Sequence, residues 1–69
     1  MMITIRTNKG QLIELAQPTT GSVITEVIFT NETGSQFTGF VSRASISEGK
    51  EAVITEVLAA YRLGIMEKI

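Results

Sequence analysis

The chain has no cysteine and no histidine, and its seven acidic residues are all glutamate. These absences remove disulfide stapling, thiol nucleophiles, imidazole general bases and the common ligand sets for zinc. Tryptophan is missing as well, and Pro18 is the single proline. A dominant charge is also lacking: six basic residues are interleaved with seven acidic ones, for a net charge of −1, which implies no polyelectrolyte partner. No apolar run reaches the roughly 18 residues of a membrane span. The opening MMITIRTNKG does not follow the basic-then-apolar order of a signal peptide. The expectation is a cytoplasmic protein with no catalytic residues, no cofactor and no metal.

What is present is apolar: 43% of the 69 residues are hydrophobic, and mean hydropathy is +0.25. A domain of this length buries only about 60% of the surface its unfolded chain exposes. With bridges and metals excluded, self-association is the usual remaining support for so small a core. Residues 1–69 read as a single domain.

The strongest periodic signal is Ser47 to Leu63, SEGKEAVITEVLAAYRL, which predicts a helix. At 100° per residue, Val53, Ile54, Val57, Leu58, Ala60, Tyr61, Gly64 and Ile65 share an arc of about 160°, the expected core face. Its start has two candidates: a capping box of Ser45 with Glu48, or Ser47 as the cap, with Glu48 and Glu51 near the positive end of the helix dipole. Gly64 suits the left-handed residue that ends a helix. The tail Ile65 to Ile69 reads equally as a turn or an extended segment.

Everything before the helix alternates as strands do. Met2 to Thr7 and Gln11 to Gln17 flank Asn8-Lys9-Gly10, a three-residue hairpin loop, which sets Ile3 against Leu15 and Ile5 against Ile13. Pro18 to Gly21 forms the connector. Val23 to Thr30 and Ser35 to Arg43 make a second hairpin around Asn31 to Gly34, pairing Phe29 with Phe37, Val27 with Gly39 and Thr25 with Val41. Val23, Val27, Phe29, Phe37 and Val41 then lie under the helix, and Gly39 leaves a notch for the helix backbone or the ring of Tyr61. The expected architecture is α+β: a four-stranded antiparallel sheet from two β-hairpins with one C-terminal helix packed on a face, in the order ββββα. Strand order, and whether the hairpins join within one chain, stay open.

Motifs that carry chemistry fail on inspection. Gly49-Lys50 resembles the end of a phosphate loop, but Ala44 stands where the leading glycine belongs and Glu51 where a hydroxyl should hold magnesium. Asn31-Glu32-Thr33 matches a glycosylation sequon, and turn chemistry accounts for it more simply. Ala52, Ala59 and Met66 recur at seven-residue spacing on a second helix stripe that includes Leu63. On the far side of the sheet Leu12, Ile24, Ile28 and Phe40 have no evident cover. A non-enzymatic protein-interaction module that self-associates through Ile24, Ile28, Phe40, Ala59, Leu63 and Met66 is therefore the expected function. Its partners are itself or another protein, with no membrane and no small-molecule substrate. Inhibitors and accessory factors carried by phages or plasmids are proteins of this kind. The alternative is a small nucleic-acid-binding domain using Arg6, Lys9, Arg43 and Phe40, which the charge balance disfavours.

Overall fold

The computed structural model describes residues 3–16, 21 and 23–69. Strands β1 (Ile3–Arg6), β2 (Leu12–Leu15), β3 (Ile24–Thr30) and β4 (Gln36–Ser42) are followed by helices α1 (Arg43–Glu48) and α2 (Lys50–Leu63) and by a short strand β5 (Glu67–Lys68). The strands form one antiparallel sheet in the order β1-β2-β3-β4-β5, and the helices cover one of its faces. The two hairpins thus join within a single chain, through β2 and β3. The expected connector Pro18 to Thr20 lies outside the described residues.

Both hairpin registers follow from their turns. Gly10 at φ +80° and Gly34 at φ +90° occupy the left-handed position that closes each loop. Their N–H groups donate to Thr7 and Asn31 carbonyls at 3.2 and 3.0 Å. Ile3 accordingly faces Leu15 and Ile5 faces Ile13, while Phe29 meets Phe37, Val27 meets Gly39 and Thr25 meets Val41. Alternation then sends Ile5, Ile13, Leu15, Val27, Phe29 and Val41 inward, where Val53 and Val57 of α2 close over them. Fully burying each such side chain contributes about 1.5–3 kcal/mol. Val23, expected under the helix, is 75% exposed because it lies one residue before β3 begins; Thr25 takes the buried inner position instead.

The helical stretch differs from the single run expected from Ser47. Ser42, not Ser45 or Ser47, is the N-cap: its hydroxyl accepts from the Ser45 N–H at 3.2 Å, and helix begins at Arg43. Arg43 therefore leaves the strand to which alternation assigned it. Six residues later Gly49, at φ +119° and ψ 177°, breaks the axis. Its N–H bonds back to the Ser45 and Ile46 carbonyls of α1, while its own carbonyl accepts from Val53 in α2. One glycine thus ends the first helix and opens the second.

At the far end Gly64 is left-handed at φ +75°, with Gly64 N–H bonded to the Tyr61 carbonyl and Ile65 N–H to the Ala60 carbonyl. This is a Schellman closure, and it overturns the phase projected past Leu63. Gly64 and Ile65, expected on the core face, are exposed. Met66, expected on the outer stripe, is 9% exposed and belongs to the core. Its side chain fills the notch over Gly39, where an added Cβ would stand 3.1 Å from Met66 Cε. Tyr61 packs elsewhere, its ring centroid 4.8 Å from Phe29 and 5.1 Å from Phe37, while its hydroxyl accepts from Asn31 Nδ2 at 3.2 Å. The tail then pairs with β4, Lys68 opposite Phe37 and Glu67 opposite Thr38.

Candidate protein interface

The helices occupy one face of the sheet, no described residue covers the other, and alternation turns Ile24, Glu26, Ile28, Thr38 and Phe40 toward that open face. Ile24 is 52% and Phe40 59% exposed there, and Ile28 is half-buried. The register shows how they meet. Phe40 lies opposite Glu26, and Ile28 opposite Thr38, which puts Phe40 diagonal to both Ile24 and Ile28. Leu12 faces Thr30 and is diagonal to Ile28 in turn. Diagonal neighbours sit about 7–8 Å apart, within reach of long side chains. The four form a continuous oblique apolar stripe across three strands, bordered by Thr4, Thr30, Thr38, Glu14 and Glu26.

The remaining expected residues do not join that stripe. Ala59 and Leu63, four apart on α2, are exposed on the helical layer. Met66 is withdrawn into the core for the reason given above. The six residues thus divide into two separate surfaces and one core position. Ile65 and Ile69, 70% and 69% exposed, flank β5 and add apolar surface that the periodicity did not assign. Five residues after a glycine are too few to show a period, so little in the sequence could have found them. Ile65 and Phe40 border a cleft of 350 Å³ where β5 stops short along β4, with Ala60 and Met66 beneath.

The polar clusters hold the fold together. Glu56 on α2 accepts from the Ser42 N–H at 3.0 Å, and the Ser42 and Ser45 hydroxyls lie 3.0 and 2.5 Å from its other oxygen. The end of β4, the first turn of α1 and the middle of α2 are tied through this one carboxylate. Partial burial pushes its pKa upward, but the hydrogen bonds from the Ser45 side chain and from the Ser42 side chain and backbone outweigh that, and it lies below the ordinary glutamate value. At the other end of the sheet, Gln11 Nε2 donates to Glu32 at 3.0 Å and joins the two hairpin loops. That bond and one from its own backbone lower the Glu32 pKa against slight desolvation, with Lys9 adding to the lowering. Thr25 Oγ1 is buried and has no hydrogen-bond partner among the described residues.

Among the described residues no three His, Cys, Asp or Glu side chains converge on a metal position, and no helix is long and apolar enough to cross a membrane. Arg6 and Phe40 sit on β1 and β4, three strand spacings or about 14 Å apart. Lys9 is in a hairpin loop, Arg43 opens α1, and the carboxylates of Glu14 and Glu26 share the sheet face with Phe40. No protein-family model, curated protein or solved structure matches the chain.

Proposed function

We propose that the protein is a non-enzymatic protein-interaction module that self-associates through the open face of its sheet. The observation that carries this reading is the oblique stripe of Leu12, Ile28, Phe40 and Ile24, with Phe40 and Ile24 more than half exposed on the face that no helix covers. Contiguous apolar patches of this kind mark interaction sites, and burial between two copies would add to a core that is small for an independent domain. Threonines around the stripe can be buried at little cost if they find hydrogen bonds across the interface. The helix stripe of Ala59 and Leu63 is a secondary contact. The reading extends to an inhibitor or accessory factor of the kind phages and plasmids carry only insofar as such proteins act by docking.

Sedimentation across micromolar concentrations tests it. A mass rising above the 7.5 kDa of one chain is expected, and Phe40→Glu should return the protein to monomer with its circular dichroism intact. Leu63→Glu should weaken assembly less. Strictly monomeric wild-type protein at the highest concentration would remove self-association, and loss of all structure in Phe40→Glu would make that ring a folding residue.

A further inference from the structure

The open face of the sheet carries charge of mainly one sign. Alternation and register place Arg6 of β1, Glu14 of β2, Glu26 of β3 and Glu67 of β5 on it, while β4 contributes no charged residue. Lys68 stands opposite Phe37 and so alternates to the covered face; Lys9 and Glu32 are in the hairpin loops, and the remaining charged residues, Arg43 included, belong to α1 and α2. Among the described residues the face therefore holds three carboxylates and one guanidinium.

Glu26 has the central place among them. It lies between Ile24 and Ile28 on β3 and directly opposite Phe40 on β4, while on its other side the Ala16 N–H donates to its carbonyl at 3.1 Å. Whatever covers Ile24, Ile28 and Phe40 must also take the Glu26 carboxylate, exposed in a single copy, out of water. Arg6 is diagonal to Glu14 but two strands and four residues from Glu26, roughly 16 Å away, so it gives Glu26 no partner within its own chain.

A second copy does not supply one either. When two sheets pack face to face with their strands aligned, the two-fold axis runs along the strands or across them. An axis along the strands keeps every residue at its own level, and an axis across them keeps every residue on its own strand. Arg6 and Glu26 share neither, and an axis along β3 sets Glu26 against the Glu26 of the second copy. At any other angle each face still brings three carboxylates to the contact.

We propose that Glu26 is the residue that limits self-association through the open face: two copies join weakly while it is ionised, and they take up protons as they join. The inference rests on the self-association reading above and assigns its control to one carboxylate. Like charges brought together at a contact oppose it, and neutralising them removes the opposition.

Sedimentation equilibrium of the full chain at about 20 mM salt compares wild type, Glu26→Gln and Glu48→Gln at about pH 7.5 and about pH 5. Glu48, exposed at the end of α1, loses the same charge from the other side of the molecule and is the control. At the higher pH, Glu26→Gln should associate about tenfold or more tightly than wild type, and Glu48→Gln within about twofold of it. Acidification should tighten wild type and Glu48→Gln by about tenfold and Glu26→Gln by much less. Circular dichroism should stay constant, since the Glu56 carboxyl lies below the ordinary glutamate value and stays ionised at pH 5. Raising the salt to about 0.3 M should likewise tighten wild type through screening. The pH and salt responses of wild type need no variant, so they decide if Glu26→Gln does not fold. Equal effects of the two variants, or wild-type association indifferent to pH and salt, would overturn the role of Glu26 and leave self-association standing. Wild type and Glu26→Gln both monomeric under every condition would remove self-association itself, and this inference with it.

Discussion

Met66 reaches the core from a position outside the helix, and its removal tests how the fold closes at the β4 margin. At 9% exposure nearly its whole side chain is out of water. Truncating a buried methionine to alanine costs about 2–5 kcal/mol, depending on how far the site collapses. Because a 350 Å³ cleft already opens beside Met66, water and neighbouring side chains can enter the space, which places the expected loss near the low end, about 2 kcal/mol. For a domain of this size that is a drop of about 8–16 °C in Tm, from a total stability of about 3–10 kcal/mol. The partner position makes the argument sharper. In the wild type, Gly39→Ala sets a methyl 3.1 Å from Met66 Cε and 3.2 Å from its Cγ, so the methionine must give by a few tenths of an ångström. That tight contact opposes the roughly 0.5–1 kcal/mol gained by replacing a strand glycine, and how far Met66 can shift sets the net effect of the single variant. With Met66→Ala already made, the methyl enters vacated space and the gain remains. Urea unfolding of the four proteins in this cycle should give a coupling of about 1–2 kcal/mol in favour of the double variant. Additivity within about 0.5 kcal/mol, or a Met66→Ala Tm within a degree or two of wild type, would refute the packing of Met66 over Gly39.

Two further perturbations address the helical layer. Gly49 sits at φ +119° and ψ 177°, a region essentially closed to other residues, and an added Cβ would touch nothing within 4 Å, so Gly49→Ala carries backbone strain alone. A loss of about 1–3 kcal/mol by chemical denaturation is expected, and a neutral result would mean that the break between α1 and α2 is not held there. Glu56 has a folded pKa below its unfolded value, so the ionised carboxylate stabilises the fold above the ordinary glutamate range. That contribution is lost as pH falls through the depressed folded value. Glu56→Gln should therefore be less stable than wild type at neutral pH, and the difference should shrink on acidification. A difference independent of pH would assign the effect to packing.

Read as sequence alone, the chain already specifies both hairpins, the identity of most core residues and the end of the long helix at Gly64. These are local matters: glycine at the left-handed position sets loop length, loop length sets register, and a period of two or 3.6 sets the buried face. The exposed stripe of Ile24, Ile28 and Phe40 was legible for the same reason, since alternation assigns faces once the register is known. What the tertiary structure decided lies where periodicity is interrupted. RASISE has only Ile46 to offer a core and so gives no helical signal. Its capture as α1 depends on Ser42 and on Glu56 reaching back from α2. Past Gly64 the helical phase no longer holds. Whether Ile65 or Met66 turned inward was set by the side chain that fits over Gly39, a residue 27 positions earlier in the chain and adjacent only in the folded sheet.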